Sequence, residues 1–206
     1  MQAKIRATAE PGRTFTETAR RAQIVRAAIA TIAELGYRNA SFAQIAKRAG
    51  LSSTGLISYH FEGREELIQQ VVEEVVGAIG AHMAAAMADC GSATEALRTY
   101  IVANVEFIGA HREEMKALLE IFLNGGFEYD PATEQQVLSH VRDILRSGQE
   151  SGEFRRFDPV VMATLIQRAV DGLPFLLAAD PRLDVRSYGT EVATVFQLAT
   201  KAEAAG

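Results

Sequence analysis

The sequence predicts an all-helical protein, on three observations. Apolar residues recur at spacings of three and four along most of the 206 residues, and Ser-x-x-Gln, Ser-x-x-Glu and Asp-Pro signals stand where such runs begin. Alanine is abundant, while five prolines, no tryptophan and widely spaced turn signals disfavour the closely spaced short strands of a sandwich or barrel. A composition of 48% hydrophobic and 23% charged residues excludes disorder as the main state.

Taken in order, residues 1–15 have no helical period, contain Pro11-Gly12 and read as a flexible basic arm bearing Lys4, Arg6 and Arg13. A helix from Thr16 carries Ile24, Ala28, Ile32 and Leu35 on one face and stops at Gly36. Ser41 with Gln44 forms a capping box for a second helix through Phe42, Ile45, Ala46 and Ala49, which ends at Gly50. Ser52 and Ser53 offer the N-cap of a third short helix reaching His60, in which Leu51, Leu56 and Ile57 bury the inner face. Gly63 with Glu66 opens a long fourth helix to about Met87. Ser92 with Glu95 opens a fifth, and a sixth runs from about His111 to Leu123, where Asn124-Gly125-Gly126 breaks it. Pro131 starts a seventh helix to about Gln149. Asp158-Pro159 starts an eighth to about Ala178, Asp184 begins the last, and the Ala-rich end from Ala202 frays. The expectation is thus about nine helices.

Net charge is −5 overall, but residues 1–61 hold nine Lys/Arg against three Asp/Glu, a balance of +6, and the other 145 residues balance to −11. A basic first third on an acidic body is the footprint of a polyanion-facing N-terminal part, since attraction to phosphates is local within a Debye length. The single cysteine, Cys90, excludes an internal disulfide framework and a Cys-rich zinc site, and suits the cytoplasm. The apolar run Val75–Ala88 is too short and interrupted to span a bilayer, so no membrane partner is expected. His60, His82, His111 and His140 are scattered, and neither a His-Glu-x-x-His pair nor a Gly-x-Ser-x-Gly elbow occurs; no enzyme activity, catalytic residue, metal or cofactor is expected.

Ile45-Ala46-x-x-Ala49-Gly50-Leu51-Ser52 followed by Leu56 has helix-turn-helix spacing: Ala46 is small where helices cross, and Gly50 takes a positive φ in the turn. The outward set Ser52, Ser53, Thr54, Ser58, Tyr59 and His60 can hydrogen-bond phosphates and base edges in a major groove. Together with Leu35-Gly36-Tyr37, Ser41-Phe42 and Ser58-Tyr59-His60-Phe61-Glu62-Gly63-Arg64-Glu65-Glu66-Leu67, this stretch resembles the DNA-binding domain of the tetracycline-repressor (TetR) family of bacterial regulators. A weaker likeness continues at Gly152-Glu153-Phe154-Arg155 with Phe157-Asp158-Pro159, and at Asp171-Gly172-Leu173. Leu56 and Phe61 are one residue further apart than in that pattern, which leaves open which of Ser58, Tyr59 and His60 faces the bases.

The resemblance implies a DNA-binding domain over 16–62, a ligand-binding and dimerisation domain over 63–206, and a homodimer binding double-stranded DNA and a small-molecule effector. It would assign phosphate contacts to Ser41, Tyr59 and Arg64, base contacts to Ser53 and Thr54, and supporting contacts to Gln44 and Lys47. Tyr100, Asn104, Phe107, Met115, Leu119, Phe122, Val141 and Leu145 would line the effector space, and Asn104 would be its one amide on an apolar face. The last two helices would pair across the two-fold axis. Their apolar faces, including Met162, Leu165, Leu173, Val192, Val195 and Phe196, are wider than one hairpin needs to bury.

Overall fold

Ten α-helices are present in the computed structural model, which describes residues 15–125 and 131–202. They are α1 (Phe15–Leu35), α2 (Phe42–Arg48), α3 (Gly55–His60), α4 (Arg64–Met87), α5 (Ala93–Ala110), α6 (Arg112–Leu123), α7 (Pro131–Glu150), α8 (Pro159–Asp171), α9 (Leu173–Ala179) and α10 (Val185–Thr200). Apart from Phe15, the expected basic arm lies outside the described residues, as does the chain end after Ala202.

Four of the caps read from sequence are present as hydrogen bonds, whereas at α4 Glu66 accepts the N–H of Glu62 rather than of Gly63. Ser41 Oγ accepts the Gln44 N–H at 3.3 Å, Ser92 Oγ the Glu95 N–H at 3.1 Å, Asp158 Oδ1 the Val160 N–H at 2.8 Å, and Asp184 Oδ1 the Ser187 N–H at 3.1 Å. Three other local features differ from expectation. A 3-10 turn, Tyr37–Asn39, follows α1. The N-cap of α3 is Thr54, without a side-chain bond, rather than Ser52 or Ser53. The expected eighth helix divides at Gly172 into α8 and α9. Pro174 explains the division: it has no N–H for the Val170 carbonyl, and its ring crowds that carbonyl.

Three buried clusters organise the chain. The first joins α1 to α4 through Ile24, Ile32, Ile45, Ile57, Phe61, Leu67 and Val71, and includes Ala117, Leu118 and Ile121 of α6. In the second, Leu97, Tyr100 and Ile101 of α5 meet Val141 and Leu145 of α7 and Met162 and Ile166 of α8. The third is Val105, Ile108, Val170 and Leu173, with Val185 and Tyr188 of α10 packed against it.

α5 and α10 lie at glycine-limited separation. A Cβ on Gly109 would fall 2.7 Å from Val185 Cγ1, and one on Gly189 would fall 2.9 Å from Val105 Cγ1, inside van der Waals contact. Glu153, in the α7–α8 loop, crosses to the start of α5 and accepts the Ala93 and Thr94 N–H groups at 3.1 and 2.9 Å. An isolated antiparallel bridge between Phe154 and Lys201 fastens the same loop to the end of α10. The stretch Pro159–Ala179 is apolar and long enough by composition to cross a membrane, though only a third of it is buried and it bends at Gly172.

Candidate nucleic-acid interface and sensing domain

The geometry of the helix-turn-helix follows from a few anchors. Gly50 has φ +64° in the turn, Leu51 N–H returns to the Ala46 carbonyl at 2.9 Å, and Gln23 Nε2 of α1 donates to the Ala49 carbonyl at 2.7 Å. Ile57 and Phe61, one turn apart, are 0% and 1% exposed and seat α3 on the core. Leu56 is 36% exposed and does not join Ile57 on the inner face. Ile57 and the C-cap Phe61 carry the apolar side, and Leu56, one residue before Ile57, turns away from it.

Ser41, Gln44 and Lys47, with Ser52, Ser53, Thr54, Ser58 and Tyr59, are all exposed. Tyr59, at 79%, is the most exposed of the large apolar side chains, while His60 is half-buried with Nδ1 enclosed and without a hydrogen-bond partner.

Two arginines tie the helix-turn-helix to its neighbours. Arg21, 8% exposed in α1, donates to the His60 carbonyl at the end of α3 and to Glu66 Oε1 of α4 at 2.9 Å, with its guanidinium 4.0 Å from the Phe61 ring centre. Arg64, which the resemblance assigns to phosphate, here donates through Nη1 to the Ala40 carbonyl at 2.5 Å and through Nη2 to the Tyr37 carbonyl, and stacks on the Tyr37 ring.

The eight sensing candidates fall in more than one buried cluster. Tyr100, Val141 and Leu145 sit in the second cluster, whereas Met115 and Phe122 pack against the first. Leu119 is half-buried on α6. Asn104 Nδ2 donates to the Tyr100 carbonyl of its own helix at 2.8 Å. Phe107 stacks on His111 with ring centres 4.1 Å apart, and the His82 ring of α4, tilted to that of Phe107, has its centre 5.4 Å away. Tyr100 donates its hydroxyl to Gln167 Oε1 at 2.6 Å, and Gln167 Nε2 donates to Asp171 Oδ1 at 2.7 Å. Burial first, and the Asp171 charge second, push the Tyr100 hydroxyl well above the ordinary phenol range. One open cavity of about 200 Å³ lies between α5 and α10, among Arg98, Glu106, Val185 and Arg186. Another, of about 430 Å³, lies at the start of α5 against Glu153, Thr194 and Leu198. Sequence reading singled out neither, because each is formed by residues far apart in the chain.

Of the residues expected at a dimer interface, Leu165 and Val195 are 54% and 57% exposed, and Val192 and Phe196 are half-buried. Met162 and Leu173, at 8% and 0%, face the protomer's own core. Val160, Val161, Phe175, Leu176 and Leu198 are further exposed apolar residues on the same three helices, which sequence reading did not single out.

The pattern of bacterial regulatory proteins of the tetR family matches residues 24–71, which hold the end of α1 and all of α2 and α3. Over 160 residues the chain is 32% identical to the HTH-type transcriptional regulator BetI of Cronobacter sakazakii, covering 75% of this chain and 77% of that protein. The chain belongs to the TetR family. Among solved structures, this TetR-family protein is similar to a transcriptional regulator from Saccharomonospora viridis in complex with choline (21% identity, TM-score 0.79, 90% of this chain and 100% of that one). It is also similar to the ketosteroid transcriptional regulator KstR2 of Mycobacterium tuberculosis (21% identity, TM-score 0.74, 89% and 96%). At those identities the likeness establishes the fold. As a TetR-family regulator the protein binds DNA.

Proposed function

We propose that the protein is a cytoplasmic homodimeric repressor that leaves a pseudo-palindromic operator when a small, largely apolar effector binds within residues 63–206. The observation that carries this reading is the hydroxyl-rich outer surface of α2, α3 and the turn between them, exposed beside Lys47 and carried by the basic third of the chain. Residues 16–62 form the reading unit. Ser53, Thr54 and Ser58 reach base edges, while Ser41 and Tyr59 hold phosphates, with Gln44, Lys47, Ser52 and His60 around them. The exposed apolar residues of α8, α9 and α10 pair two copies and set the reading heads roughly one helical turn apart.

Binding of the protein to DNA upstream of its own gene, against random duplex, tests the reading. Preference for one site, with affinity falling steeply as salt rises, is expected. Equal binding to both at about 150 mM salt rejects it. Choline, which the Saccharomonospora viridis protein holds, is the first molecule to titrate against the complex. Release by choline would replace the apolar effector with a cationic one.

A further inference from the structure

The turn between α1 and α2 is held from two sides at a single residue. Glu120 of α6 accepts the Tyr37 N–H through Oε2 at 3.2 Å, and Asn124 Nδ2 lies 3.3 Å from the same oxygen. Arg64, the first residue of α4, takes the carbonyl of that same Tyr37 and stacks on its ring. The preceding Gly36, at φ +81°, lets the carboxylate come close: a Cβ there would sit 3.3 Å from Glu120 Oε2. Tyr37 is followed, four residues on, by Ser41, the cap of α2. Thus the amide that Glu120 holds stands at the root of the reading pair.

α6 is placed to pull on that root. Ala117, Leu118 and Ile121 are buried in the same cluster as α1 to α4, while Met115 packs against both that cluster and the one formed by Val105, Ile108, Val170 and Leu173. α6 therefore rests at one end on α5, α8 and α9 and at the other on the reading head.

We propose that Glu120 is a positioning residue for DNA reading, through which α6 sets the pose of α2 and α3. The carboxylate–amide bond is directional and charge-assisted, so a shift of α6 is delivered to Tyr37 rather than absorbed by sliding side chains. Arg64, on the other side of Tyr37, makes α4 feel the same displacement. The inference rests on the DNA-reading role given above and adds the residue that orients it.

The test uses full-length wild type, Glu120→Gln, Glu120→Asp and Glu120→Ala. Each is measured on a duplex enriched from random DNA by the wild type, on a scrambled duplex of equal length, by amide exchange at Tyr37 and by thermal unfolding. Glu120→Ala is expected to exchange the Tyr37 amide about 10-fold faster and to lose on the order of 10-fold in preference for the enriched duplex, with scrambled binding unchanged. Glu120→Asp, whose oxygens are withdrawn by one methylene, should lose preference too and serves if the alanine variant does not fold. Glu120→Gln keeps an acceptor oxygen in place and should retain most of the preference. Alanine and aspartate variants that discriminate as the wild type does, even with a lowered unfolding midpoint, overturn the proposal. A wild type that enriches no sequence overturns instead the DNA-reading role beneath it.

Discussion

Glu153 shows how far one side chain reaches in this fold. It lies outside any helix, yet its carboxylate serves as the N-terminal anion of α5, sixty residues earlier in the chain. The two backbone N–H bonds, those from Thr94 and Ala93, lower its pKa from 4.5 to about 2. A depressed folded-state value means that the contribution to stability is complete above about pH 4.5 and is lost as the pH falls toward 2. Glu153→Gln should therefore unfold at a lower temperature than the wild type at pH 7, and the gap should close between pH 4.5 and 2. The site is largely solvated, so the gap should also shrink in high salt. Tyr100 is the buried counterpart. Tyr100→Phe leaves the Gln167 acceptor without its donor and should cost about 1–3 kcal/mol in denaturant unfolding.

At the scale of helices, existence was legible in the sequence and ends were less so. Ser41, Ser92, Asp158 and Asp184 announce their helices because a short acceptor side chain satisfies N–H groups two or three residues ahead, a purely local requirement. The Pro174 bend was present in the sequence but was read through, since the apolar period continues across it. The start of α3 was misplaced because Ser52 and Ser53 are good caps, yet the seating of Ile57 and Phe61 decides where the turn begins. The exposed faces of α8, α9 and α10 carry their own prediction. Leu165→Glu and Val195→Glu place charges on surfaces that are open in one protomer, so each should fold and sediment as a monomer. Leu173→Glu would instead break the protomer core, at a cost of several kcal/mol. A Leu165→Glu protein that still sediments as a dimer would locate the interface elsewhere.

For the whole molecule, the exposure of the candidate DNA-contacting residues was legible because hydroxyls and basic residues cluster within one short stretch of sequence. The grouping of the candidate sensing residues was not, because Tyr100, Met115 and Val141 belong to faces whose partners only three-dimensional packing assigns. The two kinds of DNA contact should separate in solution. Tyr59→Phe should weaken all sequences alike and flatten the salt dependence, while Thr54→Ala should relax preference at one base pair by about 1–3 kcal/mol, read from a panel of operator variants. The paired glycines and valines of α5 and α10 also limit how such a molecule can respond. Val185 faces Gly109 and Val105 faces Gly189, so each helix carries a tooth opposite the other's notch. Were α10 to slip by one turn, about 5.4 Å, Val185 would be brought opposite Val105, tooth against tooth. That direction of sliding is closed to the pair, which can tilt or travel together instead.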